Sequence, residues 1–196
     1  EHDSYAFFSD FIGTVSRSGC RTFIVHARKA WLTGLSPKQN RDVPPLHHDR
    51  VLRLKREYPA LEIIVNGGIM TVGDAQRFLQ ELDGVMIGRA AYQEPWLLAR
   101  LQRALFGRGG VSDREEAVHE MTAYLERQAA SGVPVKHVSR HVLGLFQGLP
   151  GAKRWRRYLS EHAHLDSVDA GLLEQALEAM QAVRAGSAQV HGDALE

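Results

Sequence analysis

Two short runs of β-branched residues, each closing on glycine, constrain this chain more than any other feature. They are Ile63-Ile64-Val65-Asn66-Gly67-Gly68 and Val85-Met86-Ile87-Gly88-Arg89. Each hands over to a helical pattern, and apolar runs that alternate with helices read as buried parallel strands. A glycine at the strand end lets backbone N–H groups approach a ligand closely, and the helix N-terminus that follows favours an anion. In a (β/α)8 barrel the loops after the last two strands often hold phosphate. The pair therefore points to a phosphate-bearing cofactor at the top of a barrel. The alternative is that the glycines only make tight strand-to-helix turns.

The rest of the chain extends this rhythm and then abandons it. Tyr5, Phe8, Phe11 and Ile12 have helical spacing, and Gly13 to Gly19 reads as a turn-rich break. Thr22-Phe23-Ile24-Val25 is a third strand, ending at His26-Ala27-Arg28-Lys29. A long polar loop, Trp31 to Pro45, follows; loops of that length are uncommon unless functional. Asp49 can cap a helix running to Tyr58 with Val51, Leu52 and Leu54 inward, and Thr71 with Asp74 opens another through Phe78, Leu79 and Leu82. Pro95 starts a helix with Leu97, Leu98, Leu101, Ala104 and Leu105 inward, capped by Gly107.

After an Arg108-Gly109-Gly110 hinge no strand pattern recurs. Ser112-Asp113-Arg114-Glu115 has capping-box spacing ahead of a helix marked by Ala117, Met121, Tyr124 and Leu125. Further helices are marked by Val138, Val142, Leu145 and Phe146, by Arg154 to Leu159, and by Leu172 to Val183; Ala185 to Glu196 lacks periodicity. The expected fold is α/β: C-terminal strand–helix units of a (β/α)8 TIM barrel, incomplete at about three strands, then an all-helical domain. The expected bounds are 1–107 for the barrel part, 108–186 for the helical domain and 187–196 for a flexible tail. Three parallel strands do not close a barrel, and an open sheet of that size leaves two edges exposed. The chain is therefore expected to be a piece of something larger, prone to self-association through those edges.

Composition excludes some function classes. With 196 residues, 44% of them hydrophobic, and a net charge of +1, nothing marks the chain as disordered or as globally polyanion-binding. The single cysteine, Cys20, excludes an internal disulfide framework and suits a reducing compartment. It precedes its strand with no activating base nearby, so it reads as a small buried residue rather than a nucleophile. No apolar run reaches membrane-spanning length and Glu1-His2-Asp3 has no signal-peptide character, so the expected localisation is cytoplasmic. His47-His48 and His162-x-His164, even with Asp49 and Asp166, lack ligand spacing for a metal.

Charge is segregated despite the balanced total. Lys136 to Ser160 holds Lys136, Arg140, Lys153, Arg154, Arg156 and Arg157 and no acidic residue, interleaved with Phe146, Trp155 and Tyr158. Such a span is an electrostatic footprint for nucleic acid, with aromatic groups available for stacking. The alternative is a helix whose basic stems cover the core while their heads are solvated. At the other end, His26, Arg28, Lys29, Lys38, Arg41 and Arg89 supply cationic groups near strand termini.

Taken together, His26-Ala27-Arg28-Lys29-Ala30-Trp31, Gly34-Leu35-Ser36-Pro37-Lys38, Asn66-Gly67-Gly68 and Gly88-Arg89 resemble the tRNA-dihydrouridine synthases, in their A-type branch. Leu143-Gly144-Leu145-Phe146-Gln147-Gly148 and Arg154-Trp155-Arg156-Arg157-Tyr158-Leu159 resemble that branch's helical tRNA-binding domain. The resemblance implies a flavoprotein with an FMN-binding barrel, using NADPH to reduce uridines 20 and 20a of the tRNA D-loop. It implies that His26 contacts the flavin, that Asn66, Gly67 and Gly68 line it, and that Gly88 and Arg89 hold its phosphate. Lys38 and Arg41 match loop positions that touch tRNA, and Arg154 and Arg157 match positions that orient it. Arg140 joins them on charge alone.

The family's catalytic cysteine and a flavin-contacting lysine belong to segments that come earlier than the part resembled here, and Cys20 does not match the former. No catalytic residue is therefore assigned. The resemblance implies the C-terminal portion of a synthase, inactive alone. The competing expectations are a non-catalytic RNA-binding module, supported by the acid-free span, and an unrelated barrel enzyme acting on a small sugar phosphate.

Overall fold

The computed structural model describes residues 4–29, 31, 33–107, 110–165 and 167–192, with backbone alone for 185–192. The chain divides into two compact units, Glu1–Gly88 and Arg89–Glu196.

The first unit runs α1 (Tyr5–Arg17), β1 (Thr22–His26), α2 (His48–Glu57), β2 (Glu62–Asn66), α3 (Val72–Phe78) and β3 (Gly84–Met86). The strands pair in parallel in the order β1-β2-β3. Consecutive right-handed crossovers put their helices on the same face of such a sheet. Burial follows: Phe23 and Val25 of β1 and Ile63 and Val65 of β2 are buried, as are Val51, Leu54, Ala75 and Phe78 of the helices. The alternate residues of β1, Thr22, Ile24 and His26, are exposed. Ile24 at 58% and Met86 at 47% show that the second face has no cover among the described residues. A parallel sheet with helices on one face only is an arc of a barrel wall, and the open face corresponds to the barrel interior. The α/β part is thus consistent with consecutive strand–helix units of a (β/α)8 barrel.

Polar ties fix these elements. Thr71 and Asp74 form a reciprocal capping box at the start of α3. Lys55 of α2 donates to Asp83 at 2.7 Å, and Asp83 also accepts from the Ile63 N–H at 2.7 Å. One carboxylate thereby joins α2, β2 and the entrance to β3. Tyr5 of α1 donates to Glu57 of α2 at 2.7 Å. Partial burial, with the Glu57 carboxylate beside it, pushes the Tyr5 phenol up to about 12.

The second unit is helical: α4 (Arg89–Gln93), α5 (Trp96–Phe106), α6 (Arg114–Ala130), α7 (Val135–Ser139), α8 (Ala152–His162) and α9 (Leu172–Gly192). Its core is closed. Trp155, Leu173, Leu125 and Met180 are fully buried and Phe146 nearly so. The Trp155 indole packs edge-on against Phe146 at 4.8 Å and donates to the Val142 carbonyl at 3.0 Å. Arg114 donates to the Leu145 carbonyl and lies 5.1 Å over the Trp96 ring. Gly144 is glycine for a steric reason: a Cβ there would run into the Gln93 carbonyl oxygen. Among the described residues this half of the chain holds helices and no strand, as its aperiodicity toward strand implied.

Several local expectations are corrected. α1 continues through the expected break at Gly13 to Arg17, with Ser18 capping the end; Gly13 lies where a Cβ would sit 2.7 Å from the Tyr58 hydroxyl. Asp49 is not the cap of α2 but sits in its first turn, where a carboxylate suits the helix dipole. The cap of α6 is Asp113, one residue beyond the expected Ser112. β3 stops at Met86, so Arg89 opens α4 rather than ending a strand. In α5, Leu97 and Leu101 are buried while Leu98 and Ala104 are exposed. In α6 the buried stripe is Val118, Thr122 and Leu125, with Tyr124 exposed. α7 ends at Ser139, yet Val142, Leu145 and Phe146 are buried all the same through turns. Cys20 is half-buried, its thiol directed to the Thr22 carbonyl. α9 runs on to Gly192, beyond the loss of periodicity at Ala185. Ala30, Arg108, Gly109, Asp166 and residues 193–196 lie outside the described residues.

Candidate functional site

The site is built at the C-terminal ends of the strands, where parallel α/β folds present their chemistry. Register aligns His26 with Asn66 and Asn66 with Met86, so the three sit level across the sheet. Asn66 uses that alignment in both directions. Its side-chain NH2 donates to the Met86 carbonyl at 2.9 Å, and its Oδ1 lies 2.5 Å from His26 Nδ1. The first bond orients the amide, leaving the oxygen toward the histidine. An amide oxygen only accepts, so the His26 proton sits on Nδ1 and Nε2 of the neutral ring is an acceptor. An asparagine on the middle strand thus straps both outer strand ends and sets the tautomer of an exposed imidazole.

Below this strap lies the glycine turn. Gly67 and Gly68 have φ of +108° and +74°, values that side chains with a Cβ adopt only with strain. Leu46 closes over them: a Cβ on Gly68 would sit 2.5 Å from Leu46 Cδ1, and one on Gly67 would sit 3.1 Å from Cδ2. His48 donates through Nε2 to the Gly67 carbonyl at 2.8 Å, and its ring packs on Phe78 at 4.7 Å. The first glycine pair therefore answers a turn and a close protein contact. Gly88 differs. A Cβ there would meet no atom of the chain within 4 Å, so this glycine leaves space. That open position, flanked by the strand-end strap and free of carboxylates in Asn66 to Gly68 and at Gly88, fits an anionic or carbonyl-rich ligand end.

The other expected residues are dispersed. Arg89 is the first residue of α4, in the second unit. Lys38 caps a short 3-10 turn, Gln39–Arg41, that contains Arg41, and both are exposed. Arg28, one of the cations expected at this rim, instead donates to the Asp42 and Pro44 carbonyls. It ties down the long loop, and a bridge between Arg28 and Leu46 does the same. Arg140 is exposed at the end of α7. Arg154 and Arg157 are exposed on α8, Arg154 5.9 Å over the Tyr158 ring and Arg157 paired with Glu161 at 2.6 Å. That bond holds the Arg157 guanidinium above its ordinary range and the Glu161 carboxyl below its own. The aromatic part of the expected nucleic-acid footprint is corrected: Phe146 and Trp155 are core residues, and Tyr158 is stacked on His162 at 4.1 Å. None of the three offers an open face to a base, so the charges alone remain available.

Leu46 and His48 carry the turn, yet the sequence singled out His48 only as a metal candidate and Leu46 not at all. Their position at the start of a helix that precedes the Asn66 strand was the one available clue. Among the described residues no cluster of three or more His, Cys, Asp or Glu is gathered to hold a metal, and no helix is long and apolar enough to cross a membrane.

Three parallel strands with helices packed on one face form the α/β class, consistent with part of a (β/α)8 barrel. Residues 1–182 match the model of the dihydrouridine synthase (Dus) family, and the chain belongs to that family. It is 53% identical over 180 residues to the tRNA-dihydrouridine(20/20a) synthase of Salmonella typhi, covering 91% of this chain and 54% of that protein. The synthase of the same description from Shewanella oneidensis is 52% identical over 182 residues, with 92% and 54% covered. That of Escherichia coli K12 is 52% identical over 180 residues, with 91% and 52% covered. The chain spans about half the length of the curated relatives it matches.

Proposed function

We propose that the chain is the C-terminal portion of a tRNA-dihydrouridine synthase, contributing one rim of an FMN site and a tRNA-binding helical domain. The observation that carries the reading is the level alignment of His26, Asn66 and Met86 beside Gly67, Gly68 and Gly88, in a chain of this family. His26, Asn66, Gly67 and Gly68 would line the flavin, with Gly88 and Arg89 at its phosphate. The flavin supplies hydride chemistry when bound, with NADPH as the reductant that reloads it. This chain's residues bind and orient. Asn66 would hold the imidazole in one tautomer so that Nε2 can accept, the open position at Gly88 would admit close approach of the ligand, and Arg89 would neutralise phosphate charge.

The substrate class that fits the other unit is tRNA, at uridines 20 and 20a of the D-loop. Arg140, Arg154 and Arg157 would contact its backbone there, and Lys38 and Arg41 would do so from the long loop. Domain bounds of 1–107 and 108–186 belong to the same reading. Purified chain should carry a visible flavin band and bind tRNA with a strong salt dependence. Salt-dependent tRNA binding without flavin, even after FMN is supplied, would favour a purely RNA-binding portion. Loss of both would overturn the proposal.

A further inference from the structure

A hollow of about 230 Å³ lies between the end of β1 and the first turns of α1 and α2, wholly within the first unit. Its floor is apolar, made by Val25, Ala27 and Val51, all buried, with Phe8 beside them. Phe7, 61% exposed, adds a second aromatic side chain to the wall. Around this floor stand Arg28, Lys29 and Arg50, together with His26 and His47, and no carboxylate belongs to the described lining. Asp49, 3.9 Å from His47 Nδ1, has a side chain 81% exposed and does not line the hollow. Ser4 and His47, the N-cap residues of α1 and α2, do line it, so the partial positive charge of both helix ends adds to the cations.

Arg28 is the telling member. Its Nη1 donates to the Asp42 and Pro44 carbonyls, yet its Nε–H is buried and has no partner among the described residues. Native structures seldom leave a buried donor on a charged group without an acceptor. Arg28 borders the hollow, so a small movement of the side chain toward it would give Nε–H an oxygen held there.

Charge and shape decide the ligand class. Arg28, Lys29 and Arg50 bring three full positive charges. An RNA backbone phosphate carries one negative charge, whereas a phosphate monoester carries about 1.5 to 2 at neutral pH and matches the site better. An apolar floor with phenylalanines in the wall suits an attached ring rather than a bare ion. We infer that this hollow binds a nucleotide through a phosphate monoester, with Arg28, Lys29 and Arg50 on the phosphate and Phe7 and Phe8 against the base. His26, which the reading above puts against the flavin, is also part of this wall. The adenosine 2′-phosphate end of NADPH is such a monoester, and the hollow is assigned to that end of the reductant. The reductant assignment rests on the flavoenzyme reading; the nucleotide site itself does not.

Calorimetric titration of the full chain separates these claims. Adenosine 2′-monophosphate should bind about tenfold more tightly than either adenosine or inorganic phosphate, and more tightly than the 5′-monophosphate. Lys29→Gln, which keeps most of the stem, should weaken the 2′-monophosphate about tenfold, leaving adenosine and the unfolding midpoint unchanged. Phe7→Ala should weaken both. If the 2′-monophosphate does not bind, or binds Lys29→Gln as it binds the parent, the nucleotide site is refuted, while a flavin band would leave the flavoenzyme reading intact. Inorganic phosphate binding as tightly would overturn the nucleotide in favour of a plain anion site. Equal binding of the 5′-monophosphate would overturn the reductant assignment in favour of a free nucleotide. Displacement of the 2′-monophosphate by a D-arm RNA hairpin would reassign the hollow to RNA. If the 2′-monophosphate binds as expected but the chain takes up no FMN, the flavoenzyme reading fails and the nucleotide site stands.

Discussion

The α/β unit and the helical unit meet the requirement for a core in opposite ways. In the α/β unit one sheet face is packed by helices while Ile24 and Met86 on the other face are exposed. In the helical unit Trp155, Phe146 and Leu173 are enclosed and even the indole N–H is satisfied internally. The difference is instructive because the open face carries His26 and Asn66, whereas the closed unit carries charge on its outside. The open face leaves the polar strand ends of β1 and β2 accessible, while the closed unit leaves arginines such as Arg154 and Arg157 on the solvent side.

The sharpest way to test the contrast is to damage the closed core. Trp155→Ala removes a fully buried indole and one of the two hydrogen bonds to the Val142 carbonyl, which keeps that from the Leu145 N–H. The expected loss is about 3–5 kcal/mol for the cavity. Denaturant unfolding followed by the circular dichroism of the helices checks it. A loss below about 1 kcal/mol would mean that the helical unit is not packed as described.

In the α/β unit the comparable damage is conformational. Gly68→Ala meets both a positive φ, costing about 1–2 kcal/mol, and the Leu46 methyl. Adding Leu46→Ala should relieve the steric part and leave the backbone part. A double variant as stable as its Leu46→Ala parent would show that the turn is not held left-handed.

The two units also differ in how acid reaches them. Burial pushes the Asp83 carboxyl up, but bonds from Lys55 and the Ile63 N–H outweigh it and hold it below the ordinary aspartate range. The Thr71 hydroxyl is the main reason that Asp74 also lies low. A depressed carboxyl contributes stability that is full above its unfolded pKa, about 3.9, and is lost as pH falls through the lower folded value. Asp83 ties three elements, whereas Glu116 and Glu161 of the helical unit bond within one turn of their own helix. Acid titration below pH 4 should therefore loosen the sheet before the helices. Asp83→Asn should flatten that dependence, measured as the denaturation midpoint against pH. An unchanged profile would remove Asp83 as the tie.

How much of this was legible in the sequence follows from how local each cause is. The three strands, the helical second half and the Thr71 cap came from patterns a few residues wide, and they match. The Gly13 break failed because glycine there answers the hydroxyl of Tyr58, distant in sequence, rather than a turn. The stacking role given to Phe146 and Trp155 failed because alternation with arginine looks the same whether the aromatic faces water or core. At the rim, Asn66 and the glycines were visible as a motif. The Leu46 cover and the His48 bond were not, since both depend on a loop folding back by the Arg28 bridge.

The smallest effect separates an open face from a merely loose one. Ile24 already spends its side chain on solvent at 58% exposure, so Ile24→Ser should change stability by less than about 0.5 kcal/mol. The same change on the packed face, Phe23→Ser, should cost several kcal/mol, because Phe23 is 9% exposed and loses its contacts outright. The open face predicts a second readout. Ile24 and Met86 form an apolar surface beside strand edges that are unpaired among the described residues, which is a template for association. Sedimentation of the parent should show concentration-dependent association that Ile24→Ser reduces. Equal costs for the two variants would mean that both faces of the sheet are covered, and with that the barrel-arc description of this unit would fail.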